Sequence, residues 1–366
     1  NNWSLSPFNR SLENKLDLFL RFQNMVKKRL VIDTDGVADD VRAISLAIQH
    51  EDVEVVAITT VIGCVSVKQA AANVARTLRA NGLDREAIPI FEGAINPLIG
   101  SHNDHKAEEH FFGSDGIGGA PTDFPVVEKE DFDIAKGKPH AVQALIEIFE
   151  KNKDELTLVC LGPLTNIGLA LKLRPEFATW PKEVFIMGGN VFGAGNVKSH
   201  STAEFNFSND PEAAFIVLDE IKKPITIIPW ECFLFATGTE EVDFHSHLSI
   251  DAPLGRFFST ATSVGRKSLE ITGLQFAYCD EIAVASAIDP ENIIIEEKNI
   301  RGSVELHGSL TRGQLALDWT ESLWNELSLS TGRFCNKRQP FRFVSKYNIP
   351  LLNQMITDAV LKSAKK

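Results

Sequence analysis

Apolar positions along the chain follow two rhythms, short unbroken runs and stretches at helical spacing, and the two alternate. Residues 29–33 read as a buried strand, 39–50 as a helix, 53–61 as a strand, 67–80 as a helix and 87–91 as a third strand. After a long polar loop come a helix over 140–151, a strand over 156–161, a helix over 163–173 and a strand over 183–187. Asp210 suits the N-cap of a helix over 211–221, which is followed by an apolar run at 225–228 and a later helix over 281–288. The tail reads as strands at 293–295 and 304–306 and a last helix over 351–364.

This alternation predicts an α/β fold: a single open, mostly parallel sheet flanked by helices. Ahead of it, Leu12, Leu16, Phe19, Phe22 and Met25 lie near helical spacing. Residues 1–28 are therefore expected to be an N-terminal extension with an amphipathic helix, and 29–366 one domain. A length of 366 residues would by itself suggest two or three domains, but no linker, repeat or low-complexity tract divides the chain.

Two connections are longer than such a fold needs, 92–139 and 188–209, and both are rich in Gly, Asn, Asp and His. They are candidate active-site walls. Residues 33–40, 63–64, 162–163, 188–190 and 230–231 all follow predicted strands, at the end of an open parallel sheet where ligands bind.

Composition narrows the function classes. With 37 basic against 49 acidic residues, a net charge of −12 disfavours nucleic acid or an anionic membrane surface as a partner. The most apolar segment, 156–173, is interrupted by Gly162, Pro163, Thr165 and Asn166, so no membrane-spanning run is present. Cys64, Cys160, Cys232, Cys279 and Cys335 stand singly, without the spacing of a zinc site or a disulfide scaffold. The chain opens on Asn1 and carries Asn-x-Ser sequons at Asn2, Asn9 and Asn206, from which secretion is expected.

The sharpest chemical feature is LVIDTDGVADDV at 30–41, which sets Asp33, Asp35, Asp39 and Asp40 between a strand and a helix start. Capping and the helix dipole account for Asp39 and Asp40 but leave Asp33 and Asp35 unexplained. A hard cation held by oxygen ligands relieves the repulsion, and calcium accepts six to eight of them. The Asp-x-Asp-Gly run is also similar to the nucleophile loop of haloacid-dehalogenase-type, magnesium-dependent phosphatases. The downstream acidic pair of that class is missing, and the second acidic site is instead Asp280-Glu281 at the start of an apolar helix.

Six segments in order, LVIDTDGVADD, LGPLTNIGLAL at 161–171, MGGN at 187–190, AEFN at 203–206, DPEAA at 210–214 and CDEIAVASAIDP at 279–290, together resemble the nucleoside hydrolases of the inosine-uridine-preferring superfamily. The resemblance spans about residues 30–290. It implies a Rossmann-like fold, calcium (Ca2+) as cofactor, a nucleoside substrate and hydrolysis to ribose and free base, purine nucleosides such as inosine included. It also implies a homodimer or homotetramer. Carried over by position, Asp35 is the general base and an ion ligand; Asp40, Asp280 and the backbone carbonyl of Leu161 complete the protein ligands. Asp39, Asn196, Glu204 and Asn206 are implied as substrate contacts, with Asp33 orienting the ligands. Acidic residues suit this chemistry, because cleavage of an N-ribosidic bond passes through an oxocarbenium-like cation.

The chain departs from the family pattern at Gly36-Val37, at Cys64, and at Phe112 and Cys279, where histidines often stand. No acid for the leaving base is therefore assigned, and a nucleoside-binding or calcium-binding protein without turnover is the non-enzyme alternative. His102, His105, His110, His245 and His247 are expected at the surface. Phe112, Trp230 and Tyr278 are candidates to stack on a purine.

Overall fold

A computed structural model describes residues 27–100, 111–197, 201–236, 241–320 and 339–365. The amphipathic stretch at 12–25, the sequons at Asn2 and Asn9, His102, His105, His110 and Cys335 lie outside the described residues.

Strands β1 (Lys28–Thr34), β2 (Val53–Thr60), β3 (Ile90–Glu92), β4 (Leu156–Cys160), β5 (Glu183–Met187), β6 (Ile225–Ile228) and β7 (Ile294–Ile300) precede a small hairpin pair, β8 (Gly302–Val304) and β9 (Leu315–Leu317), and a final β10 (Phe341–Tyr347). Eight of them form one sheet in the order β3-β2-β1-β4-β5-β6-β10-β7, parallel throughout except that β7 runs antiparallel to β10. The chain steps outward from β1 to β3 and then returns to add β4 on the opposite side of β1. That reversal opens a crevice at the carboxyl ends of β1 and β4.

Residues of β1 alternate between the two faces. Leu30 and Ile32 join the core that holds helices Ala38–Gln49, Val67–Ala80, Asp280–Ile288 and Ile349–Ser363. Val31 joins the core under helices Ala141–Lys151, Thr165–Leu173 and Pro211–Glu220. Both faces of the sheet are thus covered, which is why its strands read as unbroken apolar runs. All nine residues of Asp280–Ile288 are buried, so Asp280 and Glu281 are delivered into the interior.

Several expectations need correction. The third strand begins at Ile90, because the Ala87 N–H closes a turn onto the Asp84 carbonyl. The strand read at 293–295 runs over Ile294–Ile300; Glu296, Glu297 and Lys298 are exposed at the sheet edge and hide it from an apolar pattern. The strand read at 304–306 lies at Gly302–Val304. Helices Phe205–Asn209, Glu231–Ala236, Pro253–Ala261 and Ser263–Glu270 and strands β9 and β10 were not expected from the pattern. Each spans nine residues or fewer, so no long periodicity marks them. Among the described residues no helix is long and apolar enough to cross a membrane.

Candidate active site

The turn after β1 is built by its own side chains. Thr34 Oγ1 accepts the Gly36 N–H at 3.0 Å and donates to Asp40 Oδ1, while Asp40 Oδ2 accepts the Val37 N–H at 3.1 Å. Gly36 adopts φ +69°, and a Cβ there would meet backbone atoms of Ala70 at 2.8 Å, so the departure at Gly36-Val37 supplies the residue this turn requires. Asn73 Nδ2 donates to the carbonyls of Gly36 and Asp115 at 2.8 and 2.7 Å and ties the turn to the long connection after β3.

This turn aims Asp35, Asp39 and Asp40 into a cavity of about 370 Å³. Asp280, Leu161, Asn196, Glu204 and Asn206 line the same cavity, which thus gathers the residues that the resemblance implies as ion ligands and substrate contacts. Asp35 Oδ2 accepts the Cys64 N–H at 2.8 Å. Asp40 lies close enough to Asp35 and Asp280 for its charge to act on both carboxyls. Ligand atoms of Asp39, Asp280 and Cys279 lie within 4.8 Å of one another.

Electrostatically the cluster is frustrated. Burial first, and the charge of Asp40 second, push Asp35, Asp39 and Asp280 well above the usual carboxylate range. Burial also raises Asp40, against the hydrogen bond from Thr34. Among the described residues no Lys or Arg pairs with any of the four, and Asp39 Oδ1 is buried without a hydrogen-bond partner. Carboxylate and carbonyl oxygens that repel one another and have an orphaned acceptor among them suit a hard divalent cation.

Asp33 sits behind this cluster and is fully buried. Its Oδ2 accepts from Thr59 Oγ1 at 2.6 Å and Asn166 Nδ2 at 2.8 Å, and burial pushes its carboxyl up to about 7. Asn166, from the LGPLTN segment, also donates to the Thr60 carbonyl at 3.0 Å and thereby joins β1, β2 and the loop after β4.

The second wall comes from the loop after β5. Glu204 spends its oxygens on backbone: it accepts from Gly189, Asn206 and Phe207 N–H groups at 2.8, 2.7 and 3.1 Å and caps helix Phe205–Asn209. Burial raises its carboxyl to about 7 despite those bonds. Asn206 Nδ2 donates to the carbonyls of Leu161 at 2.8 Å and Met187 at 3.2 Å, which leaves its Oδ1 for a ligand. Asn196 is exposed at the rim. Glu231 accepts from the Val191 and Phe192 N–H groups and anchors the start of the same loop.

The remaining lining is largely aromatic. Trp230 stacks on Phe233 with centroids 4.4 Å apart, Phe233 meets Phe276 edge to face at 6.0 Å, and Phe111 contacts Phe112 at 5.0 Å and Phe276 at 5.6 Å. Phe112 and Trp230 were expected there; Phe111, Phe233 and Phe276 were not. Tyr278 lies outside the cavity lining, its hydroxyl donating to Asn353 Oδ1 at 2.7 Å. His247, expected at the surface, is buried 3.0 Å from Arg42. Cys64 and Cys279 line the cavity as thiols pushed well up by burial and then by the adjacent carboxylates.

The chain is similar to known proteins in sequence and in fold. The sequence profile of the inosine-uridine preferring nucleoside hydrolase family matches residues 30–350. The chain is 31% identical to the inosine-uridine preferring nucleoside hydrolase of Leishmania major over 80% of this chain and 88% of that one. It is 34% identical to the probable uridine nucleosidase 1 of Oryza sativa subsp. japonica over 52% of this chain, and spans about half (55%) of that relative. A solved inosine-guanosine nucleoside hydrolase superposes with a TM-score of 0.77 at 30% identity, covering 92% of this chain and 99% of its own. These likenesses set aside the phosphatase reading of the Asp-x-Asp-Gly run.

Proposed function

Because the chain belongs to the inosine-uridine preferring nucleoside hydrolase family, a family of enzymes, we propose that it hydrolyses the N-ribosidic bond of ribonucleosides, purine nucleosides such as inosine included. The observation that carries this reading is the convergence of Asp35, Asp39, Asp40 and Asp280 in one cavity with Asn206 and an aromatic wall. Asp35, Asp40, Asp280 and the Leu161 carbonyl are proposed to hold calcium; their all-oxygen donor set and the lack of a paired Lys or Arg among the described residues support that choice. When bound, the ion neutralises the carboxylates and acidifies water.

The chain's own groups account for the rest. Asp35, which accepts the Cys64 N–H, is the proposed base that takes a proton from the attacking water. Asp39 Oδ1, which has no hydrogen-bond partner among the described residues, is the proposed acceptor for a ribose hydroxyl. The anionic floor stabilises positive charge that develops on the ribose ring as the base departs. Asn206 holds the Leu161 carbonyl with its amide nitrogen and offers Oδ1 to the sugar. Trp230, Phe112 and their neighbours give the departing purine a stacking surface, and the solved inosine-guanosine relative supports a purine among the substrates.

Chromatography of products tests the proposal: inosine should yield ribose and hypoxanthine in equal amounts. Inosine that binds and stays intact would favour the binding protein without turnover. We propose a homodimer or homotetramer on the family likeness, which light scattering tests.

A further inference from the structure

Behind the acid cluster lie two charged side chains with no exposure, Arg42 and Glu281. Arg42 is three residues after Asp39 on helix Ala38–Gln49, so the two share a face; Glu281 follows Asp280 on helix Asp280–Ile288. Arg42 Nε donates to Glu281 Oε1, and Arg42 Nη1 lies 3.0 Å from His247 Nε2. The guanidinium centre sits 4.0 Å from the Phe244 ring centroid and 5.2 Å from that of Phe258. Glu281 Oε2 accepts the Cys279 N–H at 2.9 Å, at the residue that launches Asp280. Burial and the Arg42 charge hold His247 neutral, down to about 2, so it takes a hydrogen bond without adding a second cation.

One ion pair therefore joins the helix that carries Asp39 and Asp40 to the helix that carries Asp280. Neither partner lines the cavity. Stability alone gives little reason for such a pair, since well-packed apolar residues serve a core as well or better. We infer that Arg42 and Glu281 are positioning residues that set Asp280 against Asp39 and Asp40 for ion binding, an inference that rests on the proposed reading of the cluster as an ion site.

The test compares the full chain with the double variant Arg42→Met/Glu281→Gln, which leaves no unpaired buried charge, and with the single variant Glu281→Gln, which keeps the side-chain volume. Calcium affinity is measured by titration calorimetry on chelator-treated protein, and unfolding is followed with and without calcium. A positioning role lowers calcium affinity by about 10- to 100-fold in either variant and shrinks the calcium-induced rise in Tm. A merely structural role lowers Tm equally with and without the ion. Affinity within about twofold of the parent in a folded variant overturns the inference while leaving the ion site standing. A parent chain that binds no calcium overturns both.

Discussion

A methyl group on Gly63 would stand 2.1 Å from Asp35 Oδ2, so the loop after β2 and the carboxylate after β1 are packed against each other with no room for any side chain at 63. The next residue, Cys64, gives Asp35 its N–H at 2.8 Å. Gly63→Ala should therefore displace the carboxylate and lower kcat by about 100-fold or more, as for a misplacement of about 1 Å. Circular dichroism should still show the parent fold. Near-parent turnover would mean that the position of Asp35 does not matter.

Asn206 should act on the sugar half of the substrate. Its amide bonds to the Leu161 and Met187 carbonyls are independent of the base, so Asn206→Ala should lower kcat/KM for inosine, uridine and cytidine by a similar factor, about 10- to 100-fold. An effect confined to one base would contradict the assignment. The Asn206 sequon should be found unoccupied in a glycopeptide map, since the side chain is buried.

Trp230 is half-buried and stacked on Phe233, with its ring on the cavity wall. Loss of a base-stacking ring costs about 1–3 kcal/mol, or roughly 5- to 150-fold. Trp230→Ala should lower kcat/KM for inosine by more than for uridine, because a purine presents the larger face. Equal losses for both would place the base elsewhere.

Proton linkage gives a fourth expectation. Burial raises Asp33 and Glu204 from the usual range to about 7, and Asp35, Asp39, Asp40 and Asp280 move in the same direction. Between about pH 4 and 7 the ion-free folded chain thus binds more protons than the unfolded chain. The stability due to these protons is present at low pH and is lost as pH rises through that window. Calcium competes with the protons on Asp35, Asp40 and Asp280, so the calcium-induced rise in Tm should be small at low pH and grow as pH rises. A rise that is flat across the window would exclude these carboxylates as the ion site.

The parts legible in the sequence are those with a local physical signature. Unbroken apolar runs marked the strands buried on both faces, and Asp33 to Asp40 stood out because four acids between a strand and a helix need an explanation. β7 was read only at its start because its later exposed residues are charged, and β10 escaped because a strand that enters between β6 and β7 from the end of the chain is fixed by long-range pairing alone. Glu204 was found by its motif, but its duty to three backbone N–H groups depends on where Gly189 returns in space. Arg42 and His247 carried no signal, since an arginine in a helix and a histidine in a loop are ordinarily solvated; only the fold sets one against Glu281 and the other against Arg42. The aromatic wall was half seen for the same reason, as Phe111, Phe233 and Phe276 come from three separate segments.

The central claim is that this acid cluster, loaded with calcium, cleaves nucleosides. Reducing-sugar release from inosine, adenosine, guanosine, uridine and cytidine should be measured on the untreated protein, after chelation and after calcium is returned, with Asp35→Asn alongside. The account predicts ribose release that is lost on chelation, restored by calcium, and reduced by about 10²- to 10⁴-fold in Asp35→Asn. Ribose release that survives both chelation and the Asp35 substitution would contradict it.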